Sequence, residues 1–165
     1  MVVKSRLSAS MKEGLQDALQ VELYQSNLWK HIANNLQRLG FFNSQKYFLA
    51  ESAEELTHYQ MHVNFINDMG DVADMPKIDA IRDEVESIGD ALEIGYRTEI
   101  DVLKQYKNFY KEAFEEDVEV AQYLEQFIHI QSKAVGQYGD LLSKYKVAEE
   151  TKEILEFDQH ILDIN

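Results

Sequence analysis

Glu54-Glu55-Leu56-Thr57-His58 lies in the middle of a long helical pattern, and within it Glu55 and His58 read Glu-x-x-His. At this spacing both side chains leave one side of a helix, about one turn apart. A carboxylate and an imidazole so placed hold a transition metal from one side, with donors suited to iron. Alone, Glu-x-x-His is common by chance and also reads as a structural hydrogen-bonded pair. Its weight depends on what other helices bring to the same level.

Working outward, the pair belongs to a predicted helix over about 44–69 with the stripe Phe48, Glu55, His58, His62, Phe65, Met69. Glu51 and Glu54 fall beside that stripe, on a rim or solvent face. Upstream, the short turn Gly40-Phe41-Phe42-Asn43-Ser44 makes the preceding helix an antiparallel neighbour. That first helix is predicted from Ser10, where Ser10-x-x-Glu13 has the form of a capping box, to Leu39, with Gly40 as the stop. Its stripe is Leu15, Leu19, Glu22, Ser26, Trp29, Ala33, Leu36. Glu22 interrupts it, and a buried carboxylate requires a cation, a hydrogen-bond partner or a proton.

Downstream, Gly70 to Lys77 and further non-periodic chain to about Glu84 form the one long connection. About 15 extended residues reach the ~40 Å of such helices. The third helix, about 85–114, therefore runs parallel to the second, and its stripe is Leu92, Tyr96, Glu99, Leu103, Tyr106, Tyr110. After the acidic turn Glu115-Glu116-Asp117, the fourth helix, about 118–145, carries Leu124, Phe127, Gln131, Ala134, Val135, Tyr138. A short fifth helix, about 149–162, turns Ile154, Phe157 and Ile161 to one side and caps the bundle end or meets another subunit. The fold class is all-α: one domain over 1–165, a four-helix bundle over about 10–145 with a long crossover between its second and third helices.

Glu22, Glu55, Glu99 and Gln131 each lie near the middle of their helix, so they are expected in one layer of the core. Glu22 precedes Glu55 by 33 residues and Glu99 precedes Gln131 by 32, as two similar helix pairs around one centre require. Structural zinc prefers cysteine and histidine. Carboxylate-rich layers suit iron or manganese, and the di-iron bundle pattern takes a Glu from each of two helices and Glu-x-x-His from each of the others. Here Glu22 and Glu99 are the single glutamates, Glu55 and His58 one Glu-x-x-His, and Gln131-x-x-Ala134 is incomplete. As plainer readings, Gln131 is a hydrogen-bonding core amide, His62 a satisfied core histidine, His129 a surface or interface residue, and Trp29 and the tyrosines core packing.

Composition narrows the partners. A net charge of −14 disfavours nucleic acid. Zero cysteines exclude disulfides, thiolate metal sites and iron–sulfur ligation. No apolar run has the length of a membrane span or a signal peptide, so a cytoplasmic location is expected.

Val21-Glu22-Leu23-Tyr24, Ala53 to His58, Asp68-Met69-Gly70 with Pro76 beyond, Glu99, Tyr123-Leu124 followed by Gln131, and the closing Phe157 to Leu162 together resemble the bacterial non-haem ferritins over nearly the whole chain. The resemblance implies a cytoplasmic homo-oligomeric shell of 24 subunits that oxidises Fe(II) with O2 or peroxide and stores Fe(III) mineral. It implies Glu22, Glu55 and His58 as ligands of a first iron, with Glu55 bridging to a second held by Glu99. Gln131 would stand beside the pair, and Glu54 would match one ligand of a third iron. Four positions depart from the family: Ala134 replaces a second-iron glutamate, Ile130 and Lys133 replace third-site carboxylates, and the fourth is Trp29. Trp29 stands where the family has a tyrosine. The iron is thus mononuclear or di-iron. A second reading follows, in which the chain is a weakly catalytic or inactive shell subunit that binds iron or co-assembles with a catalytic ferritin. Leu56 occupies the position of the haem-ligating methionine of bacterioferritins, so no haem is expected.

Overall fold

The computed structural model describes residues 3–164, and every element in that span is helical: α1 Ala9–Leu39, α2 Phe42–Asp68, α3 Ile88–Glu116, α4 Val118–Thr151, α5 Ile154–His160 and a closing 3-10 turn Ile161–Asp163. Among the described residues no helix is long and apolar enough to cross a membrane. The four long helices form the bundle that the periodicity predicts.

The ends of the helices differ from expectation for local reasons. Ser8, not Ser10, caps α1: its hydroxyl accepts from the Met11 N–H at 3.2 Å. Ser10 lies inside the first turn, and its hydroxyl donates to the Glu116 carboxylate at 2.8 Å, tying the start of α1 to the end of α3. Gly40 does stop α1, taking φ +90°, where only glycine is unstrained. The following Phe41 N–H returns to Leu36 O at 2.9 Å. α3 starts at Ile88 rather than near Val85, because Ser87 supplies the cap to Asp90 N at 3.0 Å. α3 also runs through Glu115 and Glu116, so Asp117 alone makes the expected acidic turn and caps α4. α4 outruns its predicted end by six residues and stops where Lys152 adopts the left-handed conformation, φ 62°.

The crossover follows α1 along its length. Gln16 pairs with the backbone of Asp74 in both directions (3.0 and 2.8 Å), Gln20 donates to Lys77 O at 2.7 Å, and the His31 ring meets Asp83 O at 2.7 Å. Rising residue number in the connection matches rising number in α1, so the chain is carried from one end of the bundle to the other and α3 runs parallel to α2. α5 closes one end. Phe157 and Ile161 are buried in the core, and the Asp158 carboxylate accepts from Ser44 N at 2.8 Å, capping α2 across the fold. Such a cap is worth about 1 kcal/mol.

The core is divided along the bundle axis. One apolar cluster, around Trp29, Leu36, Phe48, Leu92, Tyr138 and Phe157, fills the α5 end. Two others, around Met11, Val102, Leu124 and Phe127 and around Leu15, Leu19 and Ile66, fill the opposite half. Ile66 takes the buried place predicted for Phe65, which is only half-buried and stacks on Tyr123 at 3.8 Å. Glu22, Glu55, His58, Glu99 and Gln131 are all buried polar residues within this otherwise apolar core.

Candidate metal centre

The register that brings Glu22 to Glu55 is set by two serines. Ser26 donates to Ser52 O and Ser52 to Ser26 O, each at 2.9 Å. Both are fully buried, and their small side chains let α1 and α2 approach closely. Glu22 sits four residues before Ser26 and Glu55 three after Ser52, so in antiparallel helices both carboxylates move the same way along the bundle and face each other.

Each carboxylate has one oxygen held by an aromatic donor and turns the other toward His58. The Trp29 indole N–H donates to Glu55 Oε1 at 3.2 Å, and the Tyr106 hydroxyl donates to Glu22 Oε1. The remaining oxygens converge on one imidazole nitrogen: His58 Nδ1 is 2.8 Å from Glu55 Oε2 and 3.5 Å from Glu22 Oε2. Ligand atoms of Glu22, Glu55 and His58 all lie within 4.8 Å of one another, and all three residues are buried. Behind Tyr106 the network continues. His62 Nε2 meets the Tyr106 hydroxyl at 2.7 Å, and the Tyr123 hydroxyl meets His62 Nδ1 at 2.9 Å. Both ring nitrogens of His62 are therefore occupied, as its reading as a satisfied core histidine requires.

Beside this triad opens a cavity of about 330 Å³. Glu55 and His58 form part of its wall, with Glu51, Glu99, Gln131 and Ala134 on the others. Glu99 and Gln131 are each 1% exposed, yet Glu99 Oε2 and Gln131 Oε1 have no hydrogen-bond partner. Glu54 and Lys133 also line the cavity, both exposed to solvent.

The electrostatics are those of a crowded acidic cluster. Burial raises the carboxyl of Glu99 well above the ordinary range, and the charges of Glu55, Glu51 and Glu22 push the same way. Burial, then the neighbouring Glu54, lifts Glu51 to about 7. Burial also raises Glu55, with His58 opposing. It acts upward on Glu22 too, but the His58 and His62 imidazoles outweigh it and leave Glu22 below the ordinary range. For His58, burial disfavours the charged form, but Glu22 and Glu55 prevail and raise it to about 10. A proton on Nδ1 thus stands where a cation would sit among two carboxylates and a nitrogen.

The expectation of one layer is resolved into two parts. Glu22, Glu55 and His58 meet directly, while Glu99 and Gln131 face them from the cavity and Glu54 lies at its exposed side. Three side chains contribute in ways that the helical stripes do not show. Glu51, placed on a rim, is half-buried in the cavity wall, and its i, i+4 relation to Glu55 was the available signal. Trp29 and Tyr106 are core side chains that also donate to the carboxylates. Gln25 is fully buried with both amide atoms unpartnered. His129 is exposed.

A family model for the ferritin-like domain matches residues 12–162. A probable bacterial non-heme ferritin-like protein of Haemophilus influenzae is 24% identical over 139 residues, covering 84% of each chain. The open pore ferritin of the hyperthermophilic archaeon Archaeoglobus fulgidus superposes with a TM-score of 0.89 at 20% identity, covering 93% of this chain and 95% of that one. Chlorobium tepidum ferritin superposes with a TM-score of 0.85, also at 20% identity, covering 94% and 96%.

Proposed function

The chain belongs to the ferritin-like domain family, and we propose that it is a cytoplasmic iron-storage subunit that draws Fe(II) into its bundle core as substrate. In this reading the ion is oxidised by O2 or peroxide, and Fe(III) passes to a mineral held inside a homo-oligomeric shell of 24 subunits. The observation that carries the reading is the buried convergence of Glu22 Oε2 and Glu55 Oε2 on His58 Nδ1. Two carboxylates and an imidazole form a mixed oxygen–nitrogen set suited to iron without haem. Glu22 and Glu55 balance the charge of Fe(II) and favour the more highly charged Fe(III). Trp29 and Tyr106 hold the far oxygens so that the near ones stay aimed at the ion. Glu99 and Gln131 offer unpartnered oxygens toward the adjoining cavity.

Aerobic Fe(II) added to the protein is expected to oxidise faster than in buffer, and Glu55→Ala to remove most of the gain. Equal rates for both proteins reject the enzymatic reading. Light scattering tests the shell: a monomer or dimer at working concentration contradicts it. A second reading is favoured by Gln131-x-x-Ala134, where α4 brings no carboxylate to the cavity. It makes the chain a slow or silent shell subunit that binds iron and co-assembles with a catalytic ferritin.

A further inference from the structure

The cavity beside the triad has an acidic wall on α2 that the four-helix pattern does not call for. In carboxylate bundles α4 would bring a second Glu-x-x-His, but here it brings Gln131 and Ala134. Ala134 ends at a methyl group and leaves the space across from α2 open. Glu51 lines that space, one helical turn before Glu55 on the same face. Its side chain is half-buried, whereas Glu54 on the same helix is exposed.

We propose that Glu51 is a metal ligand: with Glu55, Glu99 and Gln131 it forms a second divalent-cation position in the cavity, supplying from α2 the carboxylate that α4 lacks. The inference rests on the reading of Glu22, Glu55 and His58 as the first iron position. Independent support comes from two side chains that are not part of the α2 wall. Glu99 Oε2 and Gln131 Oε1 are acceptor atoms on almost completely buried residues lining the cavity, and neither has a partner. An unpartnered buried acceptor is costly, and a cation satisfies several at once. The donor set is all oxygen: three carboxylates and an amide carbonyl. That set is hard and suits a divalent cation such as Fe(II) or Mn(II). Glu55 stands between the two positions, with one face toward His58 and its place in the cavity wall toward Glu51 and Glu99.

The test is anaerobic Fe(II) titration of the assembled protein by calorimetry, paired with iron-edge anomalous scattering from Fe(II)-soaked crystals. The wild type is expected to take up about two ions per chain, as paired sites do. One anomalous peak should lie beside Glu22, Glu55 and His58, and the other between Glu51 and Glu99. Glu51→Gln, which keeps shape and removes charge, should retain the first peak, lose the second and bind about one ion per chain. Glu51→Gln combined with Ala134→Glu should regain the second peak, now displaced toward α4. The inference is overturned if Glu51→Gln keeps both peaks, or if the wild type shows the first alone; either leaves the iron reading standing. No iron peak in the wild type rejects the iron reading itself, and the present inference with it. The wild-type peak positions decide the matter even if a variant fails to assemble.

Discussion

The indole N–H of Trp29 donates to Glu55 Oε1 at 3.2 Å, while the opposite oxygen of the same carboxylate meets His58 Nδ1 at 2.8 Å. Trp29 is therefore more than filler: its ring packs against Phe48 and Tyr138, each at 5.9 Å between centroids, and its polar edge fixes which oxygen Glu55 turns to the ion. Trp29→Phe keeps an aromatic ring and removes the donor. Loss of a partner behind a ligand typically costs about 10–100-fold in metal affinity. We expect Fe(II) affinity at the first position to fall by about tenfold under anaerobic titration. The helical content should be unchanged. An unchanged affinity would reduce Trp29 to packing.

The protonation of His58 sets the pH dependence of binding. Glu22 and Glu55 raise its pKa to about 10 against the opposing effect of burial, so near neutrality the imidazole carries a proton in the free protein. Nitrogen must lose that proton to ligate. The raised carboxyl of Glu55 acts in the same direction, because its proton too must leave. Rising pH removes both competitors, so affinity increases with pH and does not level off until the pH approaches that of His58. Each displaced proton contributes about tenfold per pH unit. Calorimetry in two buffers of different ionisation enthalpy should register a release of about one proton or more per ion near neutral pH. Binding heats independent of the buffer would refute the account.

The bundle could be read from the sequence because its signals are local. Gly40 stops α1, the short link to α2 forces an antiparallel pair, and only one connection is long enough to cross the bundle. Glu22, Glu55, His58, Glu99 and Gln131 stand out in the sequence because each interrupts an apolar stripe. What escaped the stripes depends on tertiary partners. Trp29 and Tyr106 have the spacing of core aromatics, and nothing in spacing reveals that their polar atoms reach carboxylates on other helices. Glu51 lies one turn from Glu55, yet its half-burial comes from the cavity that Glu99, Gln131 and Ala134 enclose. The end of α4 carries no stop signal in the sequence, because Lys152, not glycine, takes the left-handed turn. At the start of α1, both Ser8 and Ser10 can cap a helix; Ser8 takes the Met11 N–H, and both hydroxyls also reach Glu116 of α3.

Two glycines test how tightly the helices are packed around the site. A helix interior ordinarily favours alanine over glycine by about 1 kcal/mol. At Gly136 a Cβ would meet nothing within 4 Å, so Gly136→Ala should raise stability by about 0.5–1 kcal/mol. At Gly95, one turn before Glu99, a Cβ would lie 2.2 Å from Tyr138 Cε1, inside van der Waals contact with a fully buried ring. Tyr138 also packs on Trp29, so it cannot retreat without disturbing the side chain that holds Glu55. Overpacking of this kind costs about 1–3 kcal/mol. Gly95→Ala should accordingly lower the thermal midpoint and weaken Fe(II) binding, while Gly136→Ala raises the midpoint and leaves binding unchanged. Thermal unfolding of the three proteins at matched concentration measures the first effect, and anaerobic titration the second. A Gly95→Ala protein as stable as Gly136→Ala would mean that the ring of Tyr138 moves freely, and that the aromatic layer does not position Glu55.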